Sequence, residues 1–97
     1  MRIAEVIGTV TLSRAHPSLT SLPLRLAVPL TLADLAGDAT PMGESLVVVD
    51  ELGAGVGSRI ALSEGGEAAQ PFRPADKPID AYNAAILDTI QLDPNTK

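Results

Sequence analysis

The stretch LVVVDELGAGVGSRIALSE (residues 46–64) decides how the rest of the chain is read. Residues 47–49 and 60–62 are aliphatic and largely β-branched, as buried strands are, and between them Gly53, Gly55 and Gly57 recur at every second position. Glycine has no Cβ, so each of the three permits a positive φ or the close approach of a second backbone. The stretch reads as strand, tight glycine loop, strand, and spacing alone favours a hairpin connection. The string GAGVG (Gly53, Ala54, Gly55, Val56, Gly57) also invites comparison with loops that cradle phosphates. That match is weak, because Ser58, Arg59, Ile60, Ala61 and Leu62 continue as a strand and no Lys-Ser/Thr pair closes the motif. A third reading has the glycines letting copies of the loop crowd around a symmetry axis. Arg59 is most simply an exposed or ion-paired strand residue.

Toward the N-terminus, residues 2–14 alternate, with Ala4, Val6, Val10 and Leu12 on one side and Ile3, Glu5, Ile7, Thr9, Thr11 and Ser13 on the other. The first side reads as core and the second as a face that meets water or a neighbouring subunit. Gly8 marks a bulge or bend. Residues 15–21 form a loop. Leu22, Leu24, Leu26, Val28 and Leu30 then predict a second strand with one strongly apolar face. Pro23 and Pro29 place that strand at an edge or leave its ends unpaired. Residues 31–43 are a connection with one helical turn at 32–36. Toward the C-terminus, residues 65–74 form a second connection in which a short helix over 67–70 stops at Pro71, and Phe72 plugs the core or an interface. Residues 78–92 (PIDAYNAAILDTIQL) fit a helical stripe and a strand face equally well, and residues 92–97 read as a flexible tail.

The 97 residues predict one domain, 1–97, with about five strands: a small, mainly β, OB-like barrel, closed or partly open, with one short helix. A chain of this size folds to roughly 5,200 Å² of surface and has a thin core. Yet 45% of its residues are apolar, with one Tyr and one Phe, an aliphatic surplus that points to burial against partner subunits. The net charge of −5, the lack of any basic run and the shortage of aromatics exclude a nucleic-acid partner. With no Cys there is neither a disulfide framework nor a thiolate metal site. Glu5 interrupts the first apolar run and no small-residue cleavage site follows it, so a secretory signal is not expected; no apolar stretch has the length of a membrane span, and a cytosolic place is the default. His16, the sole histidine, has no catalytic partner set by any motif, and Asp50 and Glu51 lack the ligand spacing of a calcium loop, so they are solvated or ion-paired charges. No catalytic, cofactor or metal residues are expected.

Four blocks, MRIAEVIGTV, LRLAVPL, GESLVVVDELGAGVGSRIAL and PIDAYNAAILDTI, together resemble the bacterial microcompartment vertex proteins, the pentameric shell proteins of the ethanolamine-utilisation and carboxysome type. The resemblance spans nearly the whole chain. It implies a β-barrel subunit whose closing element is a strand, assembled as a cyclic pentamer that caps the vertices of a polyhedral shell and gives curvature to a layer of hexameric or pseudohexameric shell proteins. It also implies a place in the bacterial cytoplasm within that shell, no enzymatic activity, and a subunit contact or central axis near Gly53, Ala54, Gly55, Val56 and Gly57. Two departures stand out. Members usually carry an acid where this chain has Ser58, which bears on an ion pair between subunits, and an aliphatic run where it has Tyr82 and Asn83, which implies a different packing partner at the start of the last strand. The alternative, from another class, is a monomeric small β-barrel binding an anionic small ligand through GAGVG.

Overall fold

The alternating N-terminal segment forms a long strand, β1 (Arg2–Val10), and four more strands follow it: β2 (Leu24–Pro29), β3 (Leu46–Val49), β4 (Arg59–Glu64) and β5 (Ala81–Leu87). The computed structural model describes residues 1–12, 17–19, 22–37, 43–73, 79 and 81–93. His16 and residues 94–97 of the expected tail lie outside them. The strands close into a barrel in the order β1-β2-β3-β5-β4. Neighbours are antiparallel except β3 and β5, which run parallel and meet at Val49 and Tyr82. Closure gives each strand a neighbour on both sides, which suits a small all-β chain.

The interior is filled by Ala4 and Val6 of β1, Ala27 of β2, Val48 of β3, and Ile60 and Leu62 of β4, all inaccessible to solvent. Ala54 and Ala81 complete the cluster and Leu46 packs against it. Each fully buried Ile or Leu contributes about 1.5–3 kcal/mol relative to exposure.

Register corrects two expectations about which faces are core. The ladder between β1 and β2 shifts between Val6 and Gly8, so a bulge does occur at Gly8, with Ile7 as the unpaired residue. A bulge flips the alternation beyond it. Val10 therefore lies opposite Leu24, and Leu12 is 43% exposed, so the expected core side of β1 is split in two. On β2 the small Ala27 faces inward. Leu24 and Leu26 lie opposite Val49 and Val47, on the outer face of the barrel. β2 is not an edge strand either, since it pairs with β1 and β3; Pro23 precedes it and Pro29 ends it, where ladder donors are dispensable.

The hairpin reading fails. β5 lies between β3 and β4, so residues 50–58 do not turn back on a paired strand but cross the barrel end, where β5 continues to Leu87 opposite Arg59. The ambiguous C-terminal segment is the strand β5, because closing the barrel needs a fifth strand and its residues Ala81 and Asn83 are buried.

The helical turn forms as α1 (Leu32–Ala36). Thr31 Oγ1 accepts the Asp34 amide at 3.1 Å and Asp34 Oδ2 accepts the Thr31 amide at 2.9 Å, a reciprocal cap. Residues Pro17–Leu19 make one 3₁₀ turn inside what reads as featureless loop. Residues Gly65–Phe72 form a longer 3₁₀ segment that runs through Pro71 rather than stopping there.

Candidate functional site

Asp50, at the end of β3, organises the glycine loop. Asp50 is 1% exposed and both of its carboxylate oxygens have partners. Oδ1 accepts the Leu52 amide at 3.1 Å and the Asn83 side-chain amide at 2.9 Å; Oδ2 accepts the Ala54 amide at 2.7 Å and lies 3.4 Å from Arg25 Nε. Arg25 Nε also donates to the Ala54 carbonyl at 3.2 Å, and Nη1 donates to the Leu24 carbonyl at 3.2 Å. A carboxylate removed from water needs such a partner set, and this one draws on β2, the loop and β5 together. The Asp50 amide in turn donates to the Pro23 carbonyl at 2.9 Å, stitching the loop to the entry of β2.

The far end of the loop is pinned as firmly. The Gly57 amide donates to the Val6 carbonyl at 2.8 Å and the Val6 amide to the Ser58 carbonyl at 2.9 Å, while the Ser58 amide donates to the Gly55 carbonyl at 3.0 Å. Gly53 (φ +79°) and Gly57 (φ +92°) occupy the left-handed region that disfavours side chains. Gly55 does not. A Cβ built at Gly55 also meets no heavy atom within 4 Å.

The expected contact residues therefore divide. Ala54 turns into the core and is 1% exposed, so its small size serves the packing of its own chain. Gly53, Gly55, Val56 and Gly57 are exposed at the barrel end, and Val56 is 68% accessible.

This geometry does not suit an anion. The amides of Leu52, Ala54, Gly57 and Ser58 are spent within the chain, the nearest buried charge is a carboxylate, and a strand rather than a helix follows. Nor do Asp50 and Glu51 converge on a cation: Asp50 faces Arg25, whereas the exposed Glu51 accepts the Tyr82 hydroxyl at 3.0 Å. Burial, the hydrogen bond to Glu51, and the charges of Glu51 and Asp50 together push the Tyr82 phenol above its ordinary value. Arg59 is half-buried beside Glu5, 3.9 Å away, as an ion-paired strand residue.

The second departure from the resembled pattern, Tyr82 with Asn83, acquires partners here. Asn83 bridges β5 to Asp50 and accepts the Ala85 amide at 3.1 Å. Tyr82 packs edge-on against Phe72, with centroids 5.5 Å apart. Sequence reading missed Arg25 and Asn83 as members of the site. Their signal is a polar residue set among apolar strand residues, each of which needs a buried partner.

On the outer face of β2 and β3, Leu24, Val47 and Val49 join Leu12, Leu19 and Ile79 around an aliphatic groove of about 200 Å³. Leu52, Val47 and Ile7 are each at least 41% exposed.

Residues 1–88 match the family model described as "Ethanolamine utilisation protein EutN/carboxysome". The chain belongs to this family. Within the EutN/CcmL family it is 36% identical over 93 residues to the carboxysome shell vertex protein CcmL of Thermosynechococcus vestitus, covering 96% of this chain and 89% of that one. It is 37% identical over 90 residues to the microcompartment shell vertex protein PduN of Salmonella typhimurium, covering 93% and 98%. Among solved structures, the GrpN pentameric microcompartment shell protein of Rhodospirillum rubrum superposes with a TM-score of 0.80 at 33% identity, over 96% of this chain and all of that one. The EutN/CcmL fold is thus the closed barrel described above.

Proposed function

We propose that the protein is a structural shell component without catalytic activity. Five copies form a ring that occupies the vertices of a polyhedral bacterial microcompartment in the cytoplasm and joins a layer of hexameric shell proteins. A flat hexagonal layer cannot close on itself, so fivefold units supply its curvature, and a head-to-tail contact repeated around an axis produces such a unit. Relatives named as shell vertex proteins support this reading, and so does the solved pentameric relative.

The observation that carries it is where the aliphatic side chains stand. The barrel is closed, yet β3 leaves Val47 48% exposed and the loop holds Leu52 and Val56 in the open, at 51% and 68%. Such patches mark contact surfaces. Gly53, Gly55, Val56 and Gly57 form the contact region, and Ala54 anchors it from behind.

Gly55→Leu tests the reading. Its Cβ has free space within the chain, so the barrel keeps its β circular dichroism while the sedimentation coefficient falls below that of the ring. An unaltered ring counts against the contact region. Mixed with hexameric shell proteins, the native protein closes polyhedral particles and the variant leaves them open.

A further inference from the structure

We propose that Val56 of one copy seats in the aliphatic groove on the β2/β3 flank of the next, making the glycine loop the plug and the groove the socket between successive subunits. This rests on the ring reading above and adds the pair of surfaces that meet.

Two features unexplained inside the chain carry it. Gly55 is neither in the left-handed region nor crowded, so no described residue of its own subunit requires a glycine there. Its effect is to strip the space beside Val56, the one side chain larger than a methyl among residues 53–57. Val56 is 68% exposed, yet it stands on backbone pinned at Asp50 and at Val6, so docking it costs little ordering entropy. The second feature is the groove of about 200 Å³, whose lining among the described residues is aliphatic throughout: Leu12, Leu19, Leu24, Val47, Val49 and Ile79, with Ala81. An aliphatic socket accepts an aliphatic guest and rejects a charged one.

The exposed apolar flank at Met1 and Ile3 is a poorer guest. Met1 and Ile3 stand beside Arg2, which is ion-paired to Glu64, and would bring that charge into the groove. Loop and groove also share one end of the barrel, since the Asp50 amide bonds to Pro23, next to Leu24. A rotation about an axis along the barrel keeps that end level, so the two can meet between neighbours. A stable contact buries about 800 Å² on each side, and Val56 is its central anchor rather than its whole extent.

The chain has no cysteine, so engineered thiols report only the chosen pair. Oxidising the Val47→Cys/Val56→Cys double variant is expected to give a ladder of linked chains ending at the covalent pentamer, and mixing the two single variants to give linked pairs only. Self-linkage of Val56→Cys alone would mean that the loops meet at the axis, which overturns the proposal and leaves the ring intact. No linkage in a double variant that still forms the ring overturns it too. As a second arm, Val56→Asp and Val47→Asp should each dissociate the ring with the barrel's circular dichroism unchanged, and a ring surviving Val56→Asp counts against the plug. A native chain of single-copy mass defeats the ring reading itself, an outcome distinct from these.

Discussion

Asp50 is the residue on which the loop's shape depends. Removing its carboxylate leaves the amides of Leu52 and Ala54 and the side chain of Asn83 without their acceptor, and Arg25 without its counter-charge. Arg25 retains some solvent, 23% of its side chain, which moderates the loss. Asp50→Ala should destabilise the chain by about 2–3 kcal/mol, read as a lower denaturant midpoint, with Asp50→Asn costing less because it keeps one acceptor oxygen. Tyr82 offers a second test at this scale. It is the sole tyrosine, and its phenol is shifted upward from 10.0 by burial, by its bond to Glu51 and by the nearby carboxylates. The proton is held more tightly in the folded chain than in the unfolded one. Its contribution to stability is therefore full below the unfolded value and is lost as pH rises through the folded value. Ultraviolet titration should find tyrosinate forming above the ordinary range, and Glu51→Gln should bring it back down; an unchanged titration in that variant would remove Glu51 as a cause.

The elements show what was legible in the sequence. Alternation locates β1 and β2 and the apolar runs locate β3 and β4, because these signals are local, and the helical turn expected at 32–36 forms as α1. Direction was harder to read. A single extra residue at Ile7 turns Val10 and Leu12 to the outer face, and the small Ala27 rather than the leucines of β2 fills the interior. Neither follows from periodicity, since a barrel's inside is fixed by which strands close on which. For the same reason GAGVG looked like a hairpin, although β5, distant in sequence, lies between the strands it joins. The buried cluster was illegible for a related cause: Asp50 and Asn83 are 33 residues apart, and only the β3–β5 adjacency brings them together. The loop itself makes a prediction. Gly57 sits at φ +92°, so Gly57→Ala should cost about 1 kcal/mol in thermal or denaturant unfolding. A neutral result would mean that the loop relaxes away from its pinned form.

The whole molecule is a closed barrel that leaves Val47 of β3 and Leu52 and Val56 of its loop exposed to water. In a monomer those side chains are a standing cost in water, whereas in a ring every copy covers one neighbour and is covered by another. This is also how the aliphatic surplus, 45% apolar residues with two aromatics, becomes consistent with so thin a core. Assembly and the outward faces thus stand or fall together. Native mass spectrometry of the untagged protein tests that most directly: the account predicts a particle of five 10.0 kDa chains that persists on dilution, and a stable particle of one 10.0 kDa chain at high concentration would contradict it.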